Sequence, residues 1–216
     1  MATPAVAEPL APTPKLLDLS GGTIAVQVGN EVVHVHECLV GSSSEFFKNA
    51  TKPERRTESR PIDLSDEQPF IFMRYCQWLY SGLITSGFLG ERSFQCLAYM
   101  YVLGEEIVDH EFQNAVIQAI ISDMSQEDAV PGMGTIKIIY DGTTEESVAR
   151  RLLVDSWACT MNPSCERFIK DLLEPDYKPF LKDLLPQILK MRLLYPIPTA
   201  KPWISEPESY YSKASS

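Results

Sequence analysis

The stretch Thr23-Ile-Ala-Val-Gln-Val-Gly-Asn-Glu-Val-Val-His-Val-His36 decides how the chain folds. Ile24, Val26 and Val28 alternate with Ala25 and Gln27, the period of a strand with one buried face. Gly29-Asn30 is a turn pair, and Glu31 to His36 continues as a second strand, so a hairpin is predicted. Glu37-Cys-Leu-Val40 follows as a short helix. Ser42-Ser-Ser44 then offers N-caps to a helix carrying Phe46 and Phe47, because a serine oxygen accepts from the orphan N–H groups of a first turn.

Working outward, residues 49–60 show no apolar period and form a solvated loop. Pro61-Ile-Asp-Leu64 is a short strand. Ser65 or Asp66 caps a helix that carries Phe70, Met73, Trp78 and Leu79 and stops at Ser81-Gly82. Leu83-Ile84 lead to a turn at Ser86-Gly87. Phe94 to Leu103 is a buried helix with Leu97, Tyr101 and Val102 inside. Glu111 to Met124 repeats Phe112, Val116, Ile120 and Met124 at four-residue spacing, with Gln113, Gln118 and Asp123 outside. Pro131-Gly-Met-Gly134 marks a boundary, and Thr135 to Tyr140 fits a strand or a helix equally. Glu145-Glu146 open a helix holding Val148, Leu152 and Trp157. Cys165 to Leu173 is another, ended by Pro175. Phe180 to Leu194 carries Leu181, Leu184, Leu185, Ile188 and Leu189, and Pro186 implies a kink or a split. The prolines of residues 1–17 indicate a disordered or extended leader, and residues 196–216 an extended Pro/Ser-rich tail from which Trp203, Tyr210 and Tyr211 can dock. No repeat is evident.

The 216 residues hold 19 Lys plus Arg against 29 Asp plus Glu, a net charge of −10. Such a chain has no general attraction for phosphate backbones or anionic membranes, so neither nucleic acid nor membrane is expected as a partner. No apolar run is long enough for a membrane span, and the N-terminus lacks the basic start and apolar core of a secretory signal. The five cysteines, Cys38, Cys76, Cys96, Cys159 and Cys165, are scattered and odd in number. They are expected to be reduced thiols in the cytoplasm or nucleus.

Candidate chemistry is sparse. His34 and His36 share a strand face and precede Cys38, which suggests a metal site or a metal-dependent enzyme. Only His110 remains as a further histidine, and a histidine that orients the strand-to-helix junction by hydrogen bonding explains the motif more simply. Gly41-Ser-Ser-Ser-Glu45 lacks the second glycine of a nucleophile elbow and is better explained as capping. Gly132-Met-Gly134 lacks the third glycine of a nucleotide loop. Arg55-Arg56 and Arg150-Arg151 fit solvated faces. Glu105 and Glu106 are neighbours and point about 100° apart on a helix, so they make no acid/base pair with each other. No catalytic residue, metal or cofactor is therefore expected. The aromatics Phe46, Phe47, Phe70, Phe72, Trp78 and Tyr80 are core by default, and a helix face left uncovered among them is a dimer surface.

In order along the chain, these pieces resemble the BTB/POZ family. The hairpin is followed by Val35-His36, Leu39 and Ser44-Glu-Phe-Phe47; then come Ile62-Asp-Leu64, Pro69, Phe72 and Trp78-Leu-Tyr-Ser-Gly-Leu-Ile84, and finally Leu97 to Leu103 with Phe112-Gln-Asn114. The resemblance covers residues 18–124 and is closest in layout to stand-alone fungal BTB proteins. It implies an α+β fold, a small sheet clustered with helices, followed here by an all-helical region over 135–195. It also implies a non-enzymatic protein–protein interaction module that homo- or heterodimerises, or alternatively a substrate adaptor bound to a cullin scaffold of a ubiquitin ligase. Leu39, Phe46 and Phe47, on the short helices after the hairpin, are the partner-binding residues this suggests. Gly22 and Glu37 depart from the Asp and Lys that some members use for co-repressor binding.

Overall fold

Strand alternation and apolar helix faces build an α+β structure in which one small sheet shares its core with many helices. The computed structural model describes residues 17, 19–52, 54, 60–85, 94–127, 129–160, 168–193 and 201–212. The leader up to residue 16, Arg55-Arg56, the Ser86-Gly87 turn, Cys165 and the prolines at 196 and 198 lie outside them.

In β1 (Thr23–Val28) the alternating Ile24, Val26 and Val28 are all buried. β2 (Glu31–His36) returns antiparallel, with Ile24 opposite Val35 and Val28 opposite Glu31. The reversal takes two residues. Gly29 adopts φ +53° there, and a Cβ on it would press on the Pro69 ring at 3.2 Å, so both conformation and space require glycine. β3 (Ile62–Leu64) runs parallel along the other side of β1, giving the order β2-β1-β3.

Five helices share that core: α1 (Glu37–Ser43), α2 (Glu45–Ala50), α3 (Pro69–Ser81), α4 (Phe94–Glu106) and α5 (His110–Glu127). Ser44 caps α2 by accepting from the Phe47 N–H at 3.2 Å. α3 starts later than its sequence suggests, at Pro69, whose fixed φ suits a first turn. Ser65 and Asp66 instead belong to a turn in which Asp63 accepts from the Ser65 N–H at 3.0 Å. Gly82, left-handed at φ +70°, ends α3.

The corner between α4 and α5 holds the first half together. Asp109 is fully buried. Its Oδ2 accepts from the Tyr75 hydroxyl at 2.8 Å and the Ser43 hydroxyl at 2.5 Å, and its Oδ1 caps α5 through the Phe112 N–H at 2.9 Å. Next to it, the carbonyls of Val108 and Ile107 accept from the Glu45 and Phe46 N–H groups at 3.2 and 3.3 Å, and Ile107 also accepts from the Ser44 hydroxyl. Val108 is held at φ +52° to make this turn.

Thr135 to Tyr140 is helical, within α6 (Met133–Gly142). α7 (Val148–Thr160), α8 (Ile169–Leu172), α9 (Lys178–Leu193) and α10 (Pro202–Ser205) follow. α9 passes unbroken through Pro186 and is not split. Pro186 and the Lys182 whose carbonyl loses its bond both face solvent, which lowers the cost. The tail docks: Trp203 and Tyr210 are buried, Tyr210 donates to Asp155 at 2.5 Å, and Asn114 accepts from the Ser212 N–H at 2.5 Å. Gln113 and Asp123, expected outside α5, are buried; Gln113 lies under the tail, where it accepts from the Ser212 hydroxyl at 3.4 Å. Leu185 and Leu189 are exposed, because α9 buries only the face carrying Phe180 and Leu184.

Replacing Asp109 by alanine strands three donors, two of them, the Tyr75 hydroxyl and the Phe112 N–H, fully buried. Asp109→Ala is expected to lower unfolding free energy by roughly 2–4 kcal/mol, measured by urea denaturation. A loss below about 1 kcal/mol would show that the corner is held by packing alone.

Candidate functional site

α3 has two apolar faces. Ile71, Phe72, Tyr75, Cys76 and Leu79 point into the core. Phe70, Met73 and Tyr80 recur at spacings of three and seven on the other side, and with Val32 of β2 and Leu83 each is 37–52% exposed. Phe70 and Tyr80 are thus surface residues rather than core: α3 has only one side to give to the sheet, and its sequence is apolar on both. The Gly29–Pro69 contact at one end and the Tyr80–His36 contact at the other lay α3 alongside β2 in the same direction.

Between them runs a groove of about 480 Å³, lined by Val33, His34, Phe70, Met73, Arg74 and Tyr80, with Cys76 and Gln77. Its far end is closed by Tyr80, whose hydroxyl lies 2.7 Å from His36 Nδ1 and accepts from the His36 N–H at 3.2 Å. Arg74 donates to Thr85 at 3.0 Å and Gln77 at 3.2 Å, and its guanidinium lies 4.8 Å from the Phe70 ring centroid. Burial pushes the Cys76 thiol up to about 12, so it is no thiolate nucleophile at neutral pH.

The residues singled out in the sequence are placed differently. Leu39 retains 8% of its exposure, and Phe46 is half-buried with its ring edge-on to Phe47 at 5.2 Å. Phe47 is fully buried and stacks on Tyr75 at 6.5 Å. It is a core residue, a correction to its expected place near a partner surface. The bonds from the Glu45 and Phe46 N–H groups to the α4–α5 corner pull α2 inward and drive Phe47 into the core. His34, His36 and Cys38 do not converge: His36 turns to Tyr80, and among the described residues no group of three or more His, Cys, Asp or Glu is placed to hold a metal. His36 acts as the histidine that orients the junction.

A second groove, of about 430 Å³, lies between α4 and α6 against Tyr99, Val102 and Ile138. Its lining cation among the described residues, Lys137, pairs with Asp141 at 2.9 Å and Asp176 at 3.0 Å. That cation is therefore already neutralised by two carboxylates.

Sequence reasoning also missed a carboxyl pair. Glu67, before α3, is raised to about 7, first by burial and then by its hydrogen bond and repulsion with Glu106 at the end of α4. The pair spans 39 positions, so only the fold brings it together. No family model matches the chain, and neither a curated protein nor a solved structure matches it.

Because its folded pKa lies above the ordinary 4.5, Glu67 takes up a proton on folding between about pH 4.5 and 7. Its contribution is lost as pH rises through that window. Glu67→Gln is expected to be more stable than wild type above pH 7, with the difference closing below about 4.5. Urea midpoints for both proteins from pH 4 to 8 measure this, and a difference that does not vary with pH overturns it.

Proposed function

We propose that the protein is a non-enzymatic protein–protein interaction module of the BTB/POZ kind, which homo- or heterodimerises through its first domain. The observation that carries this is the exposed apolar stripe of Phe70, Met73 and Tyr80 on α3, which lines the groove beside β2. Large apolar and aromatic side chains clustered on one surface are the anchors by which protein partners bind. Burying them yields about 25 cal/mol per Å² before the costs of association. The order of elements supports the same reading: a hairpin, two short helices, a third strand beside the first, and a helix ending in Trp-Leu-Tyr-Ser-Gly.

The direct test is affinity purification of the tagged full chain beside its Met73→Glu variant, with identification of whatever co-purifies in stoichiometric amount. A defined protein, the chain's own untagged copy included, is expected with the wild type and at least tenfold depleted with Met73→Glu. Light scattering at micromolar concentration separates self-pairing from pairing with another chain, since the monomer is 24.3 kDa. A wild type that stays monomeric and retains no partner, or a partner indifferent to Met73→Glu, overturns the assignment.

A further inference from the structure

We propose that Ser205 is a phosphorylation site for an acid-directed serine kinase, and that the phosphate releases the docked tail from the helices beneath it. This goes beyond the interaction-module reading and is independent of it.

Over residues 201–212 the tail is a strap with two anchors. α10 and the turn after it lie on α5 and α7, where Trp203 and Tyr210 are buried. The Tyr210 hydroxyl donates to Asp155 of α7, and the Arg151 guanidinium lies 4.8 Å from its ring centroid. Asn114 of α5 bonds both the N–H and the carbonyl of Ser212. Between the anchors, Ile204, Ser205, Glu206 and Glu208 are exposed.

The strap is also easy to open. α10 has four residues, Pro202 to Ser205, too few for a helix that is stable by itself. The Trp203 indole N–H is buried with no acceptor among the described residues, so part of the gain from burying the ring is offset. Segments of this kind open locally at lower cost than a core helix. An opened tail presents Ser205 in the extended form that a kinase cleft accepts.

Charge supplies the recognition. Ser205-Glu-Pro-Glu208 places carboxylates one and three positions after the hydroxyl, and neither Lys nor Arg occurs from Pro202 to Ser212. A kinase with a basic substrate groove fits this pattern, since opposite charges favour both encounter and register. In the step itself the Ser205 Oγ forms a bond to the γ-phosphorus of ATP. The bond from that phosphorus to the bridging oxygen breaks, ADP leaves with the electron pair, and the hydroxyl proton passes to the kinase's base.

The product no longer suits the docked tail. Before transfer, the Ser205 hydroxyl donates to the carbonyls of Pro202 at 3.3 Å and Lys201 at 3.4 Å. The same carbonyls accept from the Glu206 N–H at 2.8 Å and the Ser205 N–H at 3.1 Å. Transfer removes the hydroxyl proton, and about two negative charges then face those carbonyl oxygens. Glu206 and Glu208 add charge of the same sign alongside. The repulsion acts while α10 is wound and is relieved by water once the tail opens. Phosphorylation therefore shifts the tail toward the open form, freeing Trp203 and Tyr210 and uncovering Asp155.

The test treats the full chain with casein kinase II, an acid-directed probe, and Mg²⁺-ATP, and maps the product by peptide mass spectrometry. A phosphate is expected on Ser205 and none at that position in Ser205→Ala. Replacing both Glu206→Gln and Glu208→Gln should slow incorporation at Ser205 at least tenfold. Hydrogen exchange then reads release. The amides of Ile204, Ser205, Glu206 and Ser212, all hydrogen-bonded in the docked tail, should exchange at least tenfold faster after phosphorylation. Those of β1 and α3 should be unchanged, and phosphatase should restore the slow rates. No phosphate on Ser205, incorporation indifferent to the two glutamates, or a phosphorylated tail that exchanges as slowly as the unmodified one overturns the proposal. The Met73→Glu purification reads a different face, so the two readings fail separately.

Discussion

Asp109 is the constraint on which the first half of the molecule depends. A fully buried carboxylate is costly unless its oxygens are bonded, and here the partners come from three elements: Ser43 of α1, Tyr75 of α3 and the first turn of α5. Those bonds fix the spacing of three helices that the sheet alone does not position. They also hold Val108 in a left-handed turn, which aims the Val108 and Ile107 carbonyls at the start of α2. Burial of Phe47 follows from that latch, and its stacking on Tyr75 returns the favour, since the ring covers the residue whose hydroxyl serves Asp109.

This constraint accounts for where the apolar surface ends up. Once Tyr75, Phe72 and Leu79 are turned inward, helical geometry leaves Phe70, Met73 and Tyr80 on the exposed side. α3 does not choose its buried side by hydrophobicity, since both sides have it. The side bonded to Asp109 becomes the core, and the other becomes the wall of a groove. A polar interaction deep in the protein thereby decides which aromatic residues of α3 stay at the surface.

The period-two alternation of Ile24 to Val35 made the hairpin legible, and Ser44, Gly29 and Gly82 announced a cap, a turn and a helix end. Those signals are local, and local geometry satisfies them. What the sequence hid depends on distant neighbours. An aspartate in Val-Asp-His looks solvated until Ser43 and Tyr75 arrive from 66 and 34 positions away. Phe46-Phe47 and Phe70 are alike on paper, yet Phe47 is sealed and Phe70 exposed, because packing rather than composition sets exposure. Thr135 to Tyr140 is rich in β-branched residues and still becomes a helix, since Gly134 and Gly142 let it approach α4 so closely that a Cβ on Gly142 would lie 2.6 Å from Val102.

That close approach has a consequence for the two regions marked off by Pro131 to Gly134. α4 and α5 turn one set of side chains to the sheet's core and another to the helices beyond it, and a single apolar cluster runs from Ile24 to Tyr210. Asp155 repeats in the second region the role of Asp109 in the first: buried, and raised in pKa by that burial, it accepts from Tyr210 of the tail and from Gln187 of α9 at 2.8 Å. Trp203 is buried there although its indole N–H has no acceptor among the described residues, so apolar burial must outweigh a cost of about 1–3 kcal/mol. The tail is therefore held as part of the core. Residues up to 127 lack Ser147 and Ser212, which bond Tyr101 and Gln113, and cutting the chain after them would expose apolar surface that the later helices and the tail now cover.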